Sequence, residues 1–202
     1  MTENGFEYVD LGLPSGTMWA TCNVGAAKPE DEGLLFQFGR TDGYKYGDND
    51  NQFKIAEQNI QDTKNKFIPK TASDKIYNEG ATLYLNDDAA HVNMGGRWRM
   101  PTNDEFEELI NNTTYEVKKV NEVQGLLFTS NINNKHLFVP FAGWWCNGSF
   151  YKVRSSANMW SSKIHELYVN TAYVLDCNYN TNPNVYFDAR YFAFSVRGVF
   201  RK

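Results

Sequence analysis

The clearest apolar–polar pattern lies in the middle of the chain. GLLFTS (125–130) and HLFVP (136–140) are two apolar runs around a polar stretch, Asn131 to Lys135, and this predicts a β-hairpin. Residues 6–25, FEYVDLGLPSGTMWATCNVG, predict two short strands about a Pro14-Ser15-Gly16 turn, with Thr17 to Cys22 as the second. The period changes in GGRWRMPTNDEFEELI (95–110). Thr102 followed by Glu105 spells a capping box, in which each side chain satisfies an amide that the first helical turn leaves orphaned. Phe106, Leu109 and Ile110 then recur at helical spacing, and Asp104 and Glu105 stand at the positive end of the dipole. Pro29 with Glu30, Asp31 and Glu32 predicts a second, short helix closed by Gly33. YFAFSVRGVF (191–200) alternates Phe192, Phe194 and Val196 against Ala193, Ser195 and Arg197, which predicts one final strand.

Elsewhere the pattern is weak. Residues 42–80 are polar and punctuated, so an irregular insertion is expected there, although Phe, Ile and Tyr are too frequent for outright disorder. No clean period runs from residue 141 to the last strand, and regular structure is expected to be thin there. Few helices, several short strands and long C-terminal loops together predict an α+β domain of irregular type, with small antiparallel sheets and two short-to-medium helices. The 202 residues suit a single domain, 1–202, large enough to bury roughly 70% of its unfolded surface.

Composition narrows the partners. A hydrophobic content of 42% and a mean hydropathy of -0.57 describe a soluble chain. The net charge of -4 disfavours nucleic acid and anionic membranes. No apolar run approaches the ~20 residues of a membrane span, so membrane insertion is not expected. MTENGFEYVD has neither a basic nor an apolar leader region, so no signal peptide is expected. Cys22 lies in an apolar run and reads as a buried thiol, while pairing of Cys146 with Cys177 stays open. The three cysteines form no CxxC, and His91, His136 and His165 are scattered, which disfavours zinc. His91 reads as a helix residue and His136 as a strand residue.

Five ordered stretches carry a family resemblance: YVDLGLPSGTMWATCNVGA, NDDAAHVNMGGRWRMPTNDEFEEL, FVPFAGWW, MWSS and ARYFAFSVRGV. They resemble the major paralogous domain first named from Fibrobacter succinogenes, over most of the chain and least at 42–80. The resemblance implies a C-type-lectin-like fold, in which the first and last strands pair and long loops carry the site. A subset of that family resembles the variable proteins of diversity-generating retroelements, whose rewritten residues decorate C-terminal loops. The corresponding display region here is 148–192, with Gly148 to Met159 as a loop that MWSS re-anchors. RMPTNDEFEEL and FSVRGV also resemble the formylglycine-generating enzymes.

The aromatic content of 15%, much of it in the last third, then reads as a binding surface. Tyr and Trp supply contact area at low side-chain entropy, and Asn and Ser supply adaptable hydrogen bonds. The expected ligand-binding residues are Tyr151, Lys152, Arg154, Asn158, Lys163, His165, Glu166, Tyr186, Phe187 and Asp188. Tyr151, Arg154, Lys163, His165, Glu166, Tyr186 and Asp188 are expected to lie exposed on one face, while Trp144, Trp160 and Phe194 belong to the framework. Catalysis is not expected. Cys146 and Cys177 lack the paired context of the formylglycine-generating family, and no GxSxG occurs. Calcium is not expected: Asn182-Pro183-Asn184 lacks a preceding acid, and Asp48-Asn49-Asp50-Asn51 reads as a solvated turn.

The expected function is therefore non-enzymatic binding of a protein or glycan on a target surface, without cofactor or metal. The chain would be made in the cytoplasm and carried on a virion as a phage or prophage product. A constant-loop adhesin or structural subunit of a cell surface is the second reading. Related phage-borne modules are often trimeric, so the resemblance leaves room for a homo-oligomer.

Overall fold

The computed structural model describes residues 1–45, 77–146 and 149–202. The insertion expected at 42–80 and the turn at 48–51 lie largely or wholly outside these residues.

The chain opens with a hairpin of β1 (Thr2–Glu3) and β2 (Phe6–Asp10). Asn4 and Gly5 between them both have positive φ, 47° and 85°, as a two-residue primed turn requires. β3 (Thr17–Asn23) pairs with β2 on one side and with the last strand, β15 (Arg197–Arg201), on the other. The sheet order is thus β1-β2-β3-β15, and the residue 6–10 strand does not pair directly with the end of the chain as expected. The two ends still meet, since Lys202 Nζ lies 3.1 Å from the Asp10 carboxylate.

β4 (Leu34–Gln37) and β5 (Tyr44–Lys45) follow. Pro29 to Glu32 form turns instead of the expected helix, closed by Asp31 N–H to Lys28 O (3.1 Å) and Lys28 N–H to the Asp31 carboxylate (3.0 Å). The two α-helices among the described residues are α1 (Ala89–Met94) and α2 (Asn103–Asn111). Asp88 caps α1, and Thr102 and Glu105 make the expected capping box on α2. β6 (Thr113–Val120), β7 (Val123–Ser130) and β8 (His136–Pro140) form a three-stranded antiparallel sheet that contains the expected hairpin.

The largest sheet departs most from expectation. β9 (Trp144–Cys146), β10 (Ser149–Tyr151), β11 (Ser156–Ile164), β12 (Thr171–Asn178), β13 (Thr181–Ala189) and β14 (Ala193–Ser195) run in the order β10-β9-β14-β11-β12-β13, with β4 and β5 added beside β14. The α+β class with long C-terminal loops is therefore corrected. Strand accounts for 50% and helix for 11% of the described residues, and the fold is largely β. Within the described part of the expected Gly148–Met159 loop, residues 149–159, only the turn at 152–155 is irregular, because β10 and β11 occupy the rest.

Burial explains why these strands escape a periodicity reading. In β11 and β12, Trp160, Ala172 and Val174 enter one core with Phe36, Phe38, Trp98 and Phe194. Met159, Leu175 and Cys177 enter a second core with Trp19, Phe106, Leu109 and Phe128. A strand covered on both faces has no polar side to alternate with. The 191–200 segment also splits. Ala193–Ser195 pairs with β4, Arg197–Arg201 pairs with β3, and Val196 carries the chain between the two sheets. Trp19, Trp98, Phe106, Leu109, Trp160, Phe194 and Val196 are all buried, while Trp144, expected in the framework with Trp160 and Phe194, is half-buried.

Candidate functional site

The β12–β13 hairpin forms one border of the large sheet, with β13 on the outside. Its register sets Tyr173 opposite Phe187 and Val174 opposite Tyr186. Beyond β11 the chain turns through His165 to Asn170 and re-enters β12. His165 N–H donates to Thr171 O (3.1 Å), and Thr171 N–H donates to Tyr168 O (2.9 Å). The His165 ring is buried, its Nδ1 accepting from Leu167 N–H at 3.1 Å. Around it lie Phe187 (4.2 Å between centroids), Tyr168 (5.2 Å) and Tyr173 (5.2 Å). Tyr186 stacks on Phe187 at 4.9 Å and 12°. Tyr168 and Tyr186 remain 52% and 55% exposed and Leu167 71%, so an anchored aromatic cluster presents three large apolar side chains outward.

Polar groups rim this cluster. Lys163 Nζ lies 2.6 Å from Glu166, and Tyr173 Oη donates to the other oxygen of the same carboxylate. These two bonds, Lys163 first, hold the Glu166 carboxyl down to about 2. Burial, then the bond to Glu166, pushes the Tyr173 hydroxyl up to about 12, with Glu107 and Asp104 of α2 adding to the shift. Neither group exchanges its proton near neutral pH. The arrangement offers area, hydrogen bonds and a fixed negative charge, which are means of recognition.

Five of the expected site residues therefore come together: Lys163, His165, Glu166, Tyr186 and Phe187. Burial of His165 and half-burial of Lys163 and Asp188 depart from the exposure expected of them; the His165 ring, with half-buried Phe187, holds the cluster that Tyr186 and Tyr168 present. Tyr151, Lys152 and Arg154 stand elsewhere, on β10 and the turn after it, all exposed. Tyr151 stacks on Trp144 (4.5 Å, 18°), and Trp144 packs on Phe192. Lys152 and Arg154 have φ of 49° and 64°, in the left-handed region that non-glycine residues seldom occupy. Gly143 of FAGWW makes this turn fit. A Cβ there would lie 2.4 Å from Tyr151 O and 2.7 Å from Val153 N.

Asn158 is a correction of another kind. It is buried, donates to Asp176 (2.7 Å) and accepts from Ser156 Oγ (3.1 Å), so it ties β11 to β12 from within. Asp188 is half-buried, and burial followed by the Asp176 charge raises its carboxyl, against a backbone bond from Ala189 N–H. Its charge also reaches Cys146 on β9. Sequence reasoning missed Leu167, Tyr168 and Tyr173. The signal present was HELYVN itself, a run of large side chains between two segments with no turn composition.

The cysteines are free. Burial first, then Asp188, pushes Cys146 up to about 11; burial first, then Asp176, pushes Cys177 up to about 12. Both stay thiols, and thiols are poor nucleophiles. Cys22 is half-buried instead of fully buried. Asn182-Pro183-Asn184 lies within β13, not in a loop. Among the described residues no group of three or more His, Cys, Asp or Glu is placed to hold a metal ion, and no helix is long and apolar enough to cross a membrane.

Comparison of the chain with protein-family models, with curated proteins and with solved structures finds no match.

Proposed function

We propose that this chain is a non-enzymatic recognition module that binds a macromolecular ligand on a target surface, and that it is a variable protein of the kind served by diversity-generating retroelements. The observation that carries the reading is the aromatic cluster at His165, Tyr168, Tyr173, Tyr186 and Phe187. Its inner rings are fixed in a sheet hairpin, and its outer rings and Leu167 face solvent. Large, rigid, amphipathic side chains on a stiff scaffold lose little entropy on binding and dominate interface energetics. The five stretches that resemble the major paralogous domain flank the display residues and supply much of the buried framework, which supports the same reading. A virion is the setting the resemblance favours.

The test is at the nucleotide level. Adenine-directed rewriting requires a template copy of the 3′ part of the gene, differing chiefly at adenines, beside a reverse transcriptase gene. Differences are expected at the codons of exposed Glu166, Tyr168 and Tyr186, and not at buried Asn158 or Trp160. A locus with neither template nor reverse transcriptase overturns the variable-protein reading and leaves a constant-loop surface module.

A further inference from the structure

A second feature lies at the other end of the β12–β13 hairpin. Its turn, Asn178-Tyr179-Asn180-Thr181-Asn182, faces Tyr115 to Val117 of β6 across a groove of about 230 Å³. Tyr173 and Tyr179 are six residues apart on or just beyond one strand, so the groove is roughly 20 Å from the aromatic cluster. We propose that this groove binds a neutral saccharide, one ring at a time, as part of an exposed glycan chain.

The chemistry of the lining selects the ligand. Asn178 is committed to the turn, its Oδ1 accepting from Asn180 N–H at 2.8 Å. The side-chain amides of Asn180 and Asn182 are exposed, and no protein hydrogen bond to either occurs among the described residues. Each amide offers two donors and an acceptor side by side, the arrangement that matches neighbouring hydroxyls of a sugar ring. Tyr179 is 58% exposed and gives a flat apolar face for the C–H side of such a ring. Tyr115 is held in place by Phe128 (6.2 Å between centroids).

Other ligand classes fit less well. Among the described residues no Lys or Arg lines the groove, so phosphate and nucleic acid lack a counter-charge there. Glu116, the acid among the described lining residues, lies 3.4 Å from Lys118, so a cation meets a carboxylate that is already paired. Apart from the Tyr115 and Tyr179 rings, the apolar lining is Val117 and the buried Leu126, too little to bury a lipid chain. The volume falls below the ~300–1,000 Å³ of pockets that engulf small molecules, which suits partial enclosure of one ring in a longer chain.

The proposal stands apart from the aromatic cluster, and the test separates the two. The full chain is titrated with neutral oligosaccharides of three to six glucose, mannose, galactose or N-acetylglucosamine units, followed by calorimetry and by NMR of tyrosine resonances. At least one series is expected to bind, with or without chelator, and to shift Tyr179 and Tyr115 resonances. Tyr179→Ala and, separately, Asn182→Ala are expected to weaken it about tenfold or more, and Tyr186→Ala to leave it unchanged. Both positions are exposed, and circular dichroism verifies that the variants fold. The proposal is overturned if no series binds at about 10 mM. It is equally overturned if binding survives Tyr179→Ala, if Tyr186→Ala removes it, or if the groove takes tyrosine- or asparagine-rich peptides and no saccharide.

Discussion

Arg197 is fully buried and makes four hydrogen bonds, to Asn23 Oδ1 (2.9 Å), Ala20 O (3.1 Å), Thr21 O (2.7 Å) and Phe138 O (3.2 Å). It joins β15, β3 and β8 from inside. Burial pushes its guanidinium down to about 10, so the cation is retained at neutral pH by neutral acceptors. Arg190 is as deeply buried, but among the described residues it donates a side-chain hydrogen bond only to Val169 O, with its Nε and Nη2 unpartnered there and its charge 5.1 Å over the Phe38 ring. The two arginines should respond in opposite ways to Met. Arg197→Met strands several acceptors at ~1–3 kcal/mol each and is expected to cost at least about 3 kcal/mol. Arg190→Met removes an incompletely satisfied charge and is expected to fall within about 1 kcal/mol of the parent, since apolar replacement of such groups is often neutral. Chemical denaturation of the two variants decides this, and equal losses would refute it. Glu166 gives a pH prediction. Its folded pKa, about 2, lies below the usual carboxylate value, so its stabilisation is complete above the unfolded pKa and is lost as pH falls toward 2. The side chain is 45% exposed, so the loss should not exceed about 1 kcal/mol, and Glu166→Gln should flatten that part of the pH profile.

At the scale of elements, α2 depends on both of its sequence signals. Thr102 Oγ1 accepts from Glu105 N–H (3.2 Å), and Glu105 Oε2 accepts from Thr102 N–H (3.0 Å). Thr102→Ala is expected to cost about 1 kcal/mol by losing the cap. Phe106→Ala is expected to cost ~3–5 kcal/mol, because the ring is buried against Trp19 (5.8 Å) in the second core. Thermal or denaturant melts of both variants rank them, and a larger loss for the cap would show that α2 is held by its end and not by its face. The helix was legible because cap and apolar period agree over nine residues. The β7–β8 hairpin was legible because apolar runs bracket a polar turn. β11 and β12 were not, for a physical reason. Ser156, Ser161 and Ser162 are buried polar residues in a strand covered on both sides, so hydropathy neither alternates nor runs high. Pro29 with its acids misled because those residues satisfy each other locally, Asp31 bonding back to Lys28 before any helical turn forms. The candidate site was legible by residue type, down to His165, Glu166, Tyr186 and Phe187. Which of those side chains anchor and which present depends on cross-strand register, and no sequence spacing encodes it.

For the whole molecule, the separation of anchor from display sets what can change without unfolding the domain. His165 and Phe187 are packed ring to ring at 4.2 Å, and the β12–β13 register behind them is set by Val174 and Leu175, one in each core. Tyr168 and Tyr186 lie against these rings from outside, Leu167 follows in the same turn, and all three are more than half exposed. Joint replacement of Leu167, Tyr168 and Tyr186 by Ala should therefore cost only about 0.5 kcal/mol per site, the range of surface substitutions. At ~2–4 °C per kcal/mol for a chain of this size, the triple variant should melt within about 6 °C of the parent. His165→Ala alone should cost more than the three together, because it opens a cavity among Phe187, Tyr168 and Tyr173 and frees Leu167 N–H. A triple variant that unfolds, or a His165→Ala variant as stable as the parent, would mean that the outer rings hold the hairpin together, and the cluster would then be structure and not a surface offered to a partner.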